Sequence, residues 1–143
     1  MKNEVILSFC IWDFNDITHK EINYLLGIDP YKIYVKGQKK NSGNYNSIEL
    51  IKENGWIMRP PLDQFSSFED QMNSLMGIIE SKMNNFRIIC EKYYCEFSCA
   101  VFIRFDNGES TPSVHLTARY NQLIKQLNIE FDLDLYCLPN SAV

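Results

Sequence analysis

The sequence predicts a single α+β domain spanning residues 1–143: a largely antiparallel sheet of six to seven strands, with three to four helices packed mainly on one face. Three observations lead there. Between Cys95 and Phe105, Phe97, Cys99, Val101, Ile103 and Phe105 alternate with Glu96, Ser98, Ala100, Phe102 and Arg104, the period-two mark of a strand with one face in a core. Between Phe65 and Tyr94 the apolar positions step by three and four, which is an amphipathic helical stripe. Finally, ITHKEINYLLGIDPYKIYV and LTARYNQLIKQLNIEFDLDLY share a Thr cap, a short helix, a Gly or Asn stop and a strand, so two strand–helix–strand units are expected to echo each other.

In chain order, Glu4–Trp12 reads as the first strand, with Val5, Leu7, Phe9 and Ile11 on one face. Thr18 with Glu21 three residues on has capping-box spacing, and Gly27 is placed to end that helix. YKIYVKG, residues 31–37, is a second strand. The polar stretch Gly37 to Asn46 is a mobile loop. SIELIK and WIMRP flank Glu53-Asn54-Gly55, and Asn-Gly between apolar runs predicts a hairpin. Ser66 or Ser67 caps the helical stretch, which is expected to break at Asn84-Asn85 because asparagine competes for backbone hydrogen bonds. After the long strand, Ser113–Leu116 reads as a short strand, Thr117 opens a helix stopped by Asn128, and Ile129–Tyr136 is the last strand. The tail after Pro139 is expected to be loose. The basic face of the second strand (Lys32, Tyr34, Lys36) and the acidic face of the last (Glu130, Asp132, Asp134, Tyr136) suggest that these two strands lie side by side.

Composition narrows function. A hydrophobic fraction of 45% and an aromatic fraction of 13% suffice for a sizeable core, and the net charge of −4 argues against nucleic-acid binding, which needs a basic stripe. The opening MKNEVILSFCIWDFND does not read as a signal peptide, and no apolar run reaches the length of a membrane span, so a cytoplasmic protein is expected. The five cysteines lack the tight CxxC knuckle of zinc sites and read as buried free thiols. No nucleophile elbow, phosphate loop or dinucleotide fingerprint is present, and no cofactor is expected.

Two clusters are candidates for binding. Trp56 and Arg59, with Tyr45 in the loop before, read as an exposed aromatic–basic recognition patch or, alternatively, as a hairpin whose Trp56 plugs the core. His115, Arg104 and Arg119 mark the place of a cleft for a small ligand or substrate. His19 falls in a helix first turn, remote in sequence from His115. Asp132 and Asp134 share a strand face that reads as solvated, or as a cation site.

The opening strand, ITHKEINYLLGIDP, Lys36-Gly37, the NGW at Asn54 to Trp56, the two-helix stretch and the closing DLDLY together resemble a family of bacterial proteins known as domain of unknown function 4279. The resemblance covers nearly the whole chain. It implies a compact α+β domain and carries over no activity, cofactor or catalytic residue. Relatives of such small acidic proteins sit among bacterial toxin–immunity genes, and the expectation is a non-enzymatic protein that binds another protein, such as an immunity protein of a toxin system; the alternative is an enzyme or small-ligand binder with a cleft near His115, Arg104 and Arg119.

Overall fold

The computed structural model describes residues 1–40 and 49–140. The elements run β1 (Glu4–Trp12), α1 (His19–Leu26), β2 (Lys32–Tyr34), β3 (Gly55–Met58), α2 (Phe68–Ser81), α3 (Met83–Lys92), β4 (Tyr94–Phe105), α4 (Ala118–Gln126) and β5 (Glu130–Pro139). The strands form one mixed sheet of five in the order β2-β3-β1-β4-β5. Three pairings are antiparallel, and β4 with β5 is parallel.

The helix ends follow local chemistry. The Thr18 hydroxyl accepts from the Glu21 backbone N–H at 3.1 Å and donates to the Glu21 carboxylate, so the capping-box residues meet side chain to side chain. Gly27 ends α1 at φ 64°, in the left-handed region that glycine enters without Cβ strain. Ser67 caps α2 and Thr117 caps α4 by accepting from the N–H three residues on, of Asp70 and Tyr120.

The odd-numbered side chains of β1 and β4 meet the helices. Leu7, Phe9, Ile11, Phe97, Cys99 and Val101 join Ile22, Leu26, Leu75, Ile79, Phe86 and Leu123 in one buried cluster. Phe86 and Phe97 each set a ring edge-on to Phe9, at 5.4 and 6.0 Å.

Several expectations need correction. The sheet has five strands among the described residues, fewer than six to seven, and it is mixed because the α4 crossover returns β5 parallel to β4. Asn54-Gly55 does not join a hairpin: β3 pairs with β1 and β2, and of SIELIK the described part makes only an isolated bridge at Leu50. Ser113–Leu116 alternates like a strand but pairs with no strand among the described residues and stays irregular. The break between α2 and α3 falls at Lys82, whose backbone leaves the helical region at φ −137°, earlier than Asn84-Asn85; Asn85 lies inside α3, where its side-chain amide donates to the Leu25 carbonyl at 2.7 Å and ties α3 to α1. β2 and β5 lie on opposite edges of the sheet, so they do not pair. The expectations for residues 41–46 of the loop, for Ser47 and Ile48, and for the tail at 141–143 lie outside the described residues.

All five cysteines are free. Cys10, Cys90, Cys95 and Cys99 are buried, and Cys137 departs from expectation in being exposed, because it sits on the edge strand. Burial, reinforced by the Glu96 charge, pushes the Cys10 thiol up to about 12, and burial alone pushes Cys99 to about 11. Cys95 is raised by its hydrogen bond with Cys90 and then by burial. Thiol titration is expected to find five reactive groups after denaturation without reductant, and at most Cys137 in the native protein; fewer than five on denaturation would show a bridge or a bound metal.

Candidate functional site

Because every helix buries its apolar side in the cluster on the odd-numbered face, the even-numbered face of the sheet has no helix over it among the described residues. β1 places Glu4, Ile6, Ser8, Cys10 and Trp12 there, and β4 adds Tyr94, Glu96, Ser98, Ala100, Phe102 and Arg104. β5 contributes Glu130, Asp132, Asp134 and Tyr136.

One end of this face is aromatic and acidic. Both oxygens of Glu96 are held: Trp12 Nε1 donates to one at 3.0 Å, and the Tyr94 hydroxyl donates to the other at 3.1 Å. Trp12 leans on Tyr34, with ring centroids 5.5 Å apart, and both rings lie over Gly55. A Cβ there would run into the Trp12 ring, so glycine is required by close approach rather than by a turn. Trp12, Asp13, Glu53, Tyr94 and Glu96 line a shallow depression of about 480 Å³.

The neighbouring register is unusual in charge. Glu96 stands directly beside Glu130, Ser98 beside Asp132 and Ala100 beside Asp134. Like charges side by side in a sheet are unfavourable. Among the described residues the ion pairs are Lys40–Glu49, Lys92–Asp16 and Arg119–Glu80, so none of Asp13, Glu53, Glu96, Glu130, Asp132 and Asp134 has a cationic partner. The Tyr94 hydroxyl is raised by desolvation and then by Glu96, Glu130 and Asp132, whose negative field disfavours a phenolate. No described group of His, Cys, Asp and Glu converges closely enough to hold a metal ion.

The residues expected from the sequence are dispersed. Trp56 is 0% exposed, in the core beneath α1, with its Nε1 donating to Asn23 Oδ1 at 2.8 Å. It cannot form an exposed patch with Arg59, since positions of opposite parity on one strand direction face opposite sides. Arg59 lies over the uncovered face instead, stacked 3.8 Å from the Tyr31 ring and donating to Ser8 Oγ at 3.3 Å. Tyr45 lies outside the described residues.

The second cluster is also divided. His115 shares a depression of about 220 Å³ with Asn3, Phe68, Glu69 and Glu109. Arg119 is exposed on α4 and pairs with Glu80 at 2.8 Å, and Arg104 lies at the far end of β4, its backbone N–H bonded to Asn3 Oδ1. Neither arginine lines the His115 depression. Glu109 accepts from the Asn3 N–H at 2.9 Å and from Asn107, which makes it a clamp on the turn after β4. His19 bonds the Tyr34 carbonyl at 2.8 Å and sets its ring on Phe14, holding α1 to β2.

Sequence reasoning missed Trp12, Tyr94 and Glu96 as a group. Period two puts each on the even-numbered face of its strand, but only the β1–β4 register sets Trp12 opposite Tyr94 and next to Glu96.

The family model for DUF4279, a domain of unknown function, matches residues 3–138. The chain belongs to the DUF4279 family. No curated protein and no solved structure matches this DUF4279 chain. The match takes in every strand and helix except Pro139 at the end of β5, so the face made by Glu4 to Trp12, Tyr94 to Arg104 and Glu130 to Tyr136 lies within the DUF4279 domain.

Proposed function

We propose that this chain is a non-enzymatic protein-binding domain that receives a basic partner on the acidic, aromatic end of its uncovered sheet face, acting in the bacterial cytoplasm as an immunity protein masks the cationic surface of a toxin. The observation that carries the reading is Glu96 beside Glu130, with Asp132 and Asp134 continuing the row and none of the four in an ion pair among the described residues. A fold accepts such a juxtaposition at a cost, which an arriving Arg or Lys would relieve. Trp12 and Tyr94 add ring faces suited to the same cations. The acidic face repels phosphates, which fits a protein partner better than a nucleic acid. No described helix is long and apolar enough to cross a membrane.

The test is a pull-down from the native host with mass spectrometry, using wild type beside Asp132→Lys/Asp134→Lys. The expected catch is a basic protein that the double variant fails to retain. Its affinity should fall at least tenfold, chiefly through the on-rate, and wild-type binding should weaken as salt rises. Both carboxylates are exposed, so melting should barely change. Equal retention by the double variant, or an acidic catch, would overturn the reading.

The His115 depression, which holds carboxylates as well, favours a second reading as a small-ligand or substrate site. Its volume is below the roughly 300 Å³ of typical ligand pockets, and Glu109 is already engaged. A small-molecule thermal-shift hit lost in His115→Gln and kept in Asp132→Lys/Asp134→Lys would favour this alternative.

A further inference from the structure

The two edges of the sheet are unlike. β2 is three residues long and carries Lys32, both of which blunt an edge. β5 is ten residues long and, among the described residues, pairs with no strand on its outer side. Its register with β4 runs without a bulge from Glu130 to Pro139. It contains no lysine, and its proline comes only at the end. Charge, one of the devices against edge pairing, is confined to Glu130, Asp132 and Asp134, and from Leu135 to Leu138 the strand carries none.

The side chains fit the same picture. Phe131 tucks against Phe68 and Tyr120 on the helix side, both at 6.1 Å. The helix cover stops there: Leu133 is 40% and Leu135 61% exposed, and Cys137 follows on the same face. On the other face the charge ends at Asp134, and Tyr136 is 44% exposed.

We infer that two copies of this chain pair antiparallel through β5, with Leu135 opposite its own copy at the two-fold axis. An isologous interface must be self-complementary, so its centre decides which side chains meet. Centring on Leu133 would set Asp132 against the partner's Asp134. Centring on Asp134 would set that carboxylate against itself. Centring on Leu135 sets Leu133 against the partner's Cys137, Asp134 against the partner's Tyr136 and Asp132 against the partner's Leu138. This third register buries the exposed leucines and opposes no two acids directly. It joins two five-stranded sheets into one of ten strands, with both uncovered faces on the same side. The carboxylates of the two Asp134 remain diagonal neighbours, so added salt should strengthen the dimer.

Sedimentation velocity from low micromolar to several hundred micromolar tests this on the full chain. Wild type is expected to shift from monomer to dimer, more readily at high salt. Leu135→Lys should weaken dimerisation at least tenfold without lowering the melting temperature, since Leu135 makes little use of the core. In a Cys137→Ser background, Leu135→Cys should cross-link to dimer under mild oxidation, whereas Tyr24→Cys, at a site 92% exposed on α1, should not. A wild type that stays monomeric throughout, a dimer that survives Leu135→Lys, or equal cross-linking at positions 24 and 135 would overturn the inference. The edge can fail this test while the sheet face still binds its basic partner, so the two proposals fall separately.

Discussion

Trp56→Ala is expected to cost about 3–5 kcal/mol, the range for truncating a large buried aromatic side chain. At roughly 3 °C per kcal/mol for a domain of this size, the melting temperature falls by about 10–15 °C. Trp56 is fully buried on β3 between Ile11 of β1 and Ile33 of β2, on the side covered by α1. Its indole N–H reaches Asn23 of α1 at 2.8 Å. The substitution therefore opens a cavity and cuts the bond joining the short strand to its helix. Trp56→Phe should recover most of the loss, because it refills most of the volume and leaves Asn23, which is partly exposed, able to turn to water. A fall of less than a few degrees for Trp56→Ala, measured by thermal melt, would mean that this tryptophan is not the core residue described above.

Gln71→Leu should be comparably destabilising, for a polar reason. β1 pairs with β3 only from Phe9 onward, so on that edge Val5 and Leu7 have no strand beside them. Gln71 of α2, 2% exposed, takes the strand's place. Its Oε1 accepts from the Leu7 N–H at 3.2 Å, and its Nε2 donates to the Val5 carbonyl at 2.7 Å and to the Ser66 carbonyl at 3.0 Å. The Val5 N–H meanwhile reaches the Gln64 carbonyl at 2.8 Å. Leucine matches the volume and orphans these groups, at about 1–3 kcal/mol for each one left without a partner. Urea unfolding should show a loss of about 3–5 kcal/mol in total. Gln71→Glu sharpens the test. Protonated, the carboxyl can both accept from Leu7 and donate to Val5; ionised, it is a buried charge facing a carbonyl. Its folded-state pKa would be raised, so the variant should be most stable below about pH 4, the unfolded value for glutamate, and lose stability as pH rises through the folded value. A variant as stable as wild type at pH 7 would show that Gln71 does not complete the sheet.

Gln71 also shows where reading the chain by pattern stops. The helical stripe from Phe68 to Ile79 is visible as apolar spacing, and a glutamine inside it looks like a solvent position. Nothing local reveals that β1 has an unpaired stretch for it to fill. Trp12 and Glu96 teach the same lesson at the candidate site. Each is readable as an even-face residue of its strand, but their meeting depends on a register across 84 positions of chain. Trp56 and Arg59, three residues apart and readable either as one patch or with Trp56 in the core, are separated by the sheet itself, which buries Trp56.

What the sequence determined alone was what short-range physics controls. Period-two alternation marked β1, β4 and β5, and Thr18, Ser67, Thr117 and Gly27 marked helix ends, because caps and pleats are settled within a few residues. Family membership was legible for the same reason, through punctuation carried along nearly the whole chain. The tertiary structure alone decided the strand order, the parallel return of β5, the failure of Glu49–Lys52 and Ser113–Leu116 to become strands, and the exposed acidic row. Those outcomes depend on which distant backbone is free to take a hydrogen bond and which side of the sheet the helices cover. An alternating pattern records that a strand has two faces; only packing determines which of them is left in water.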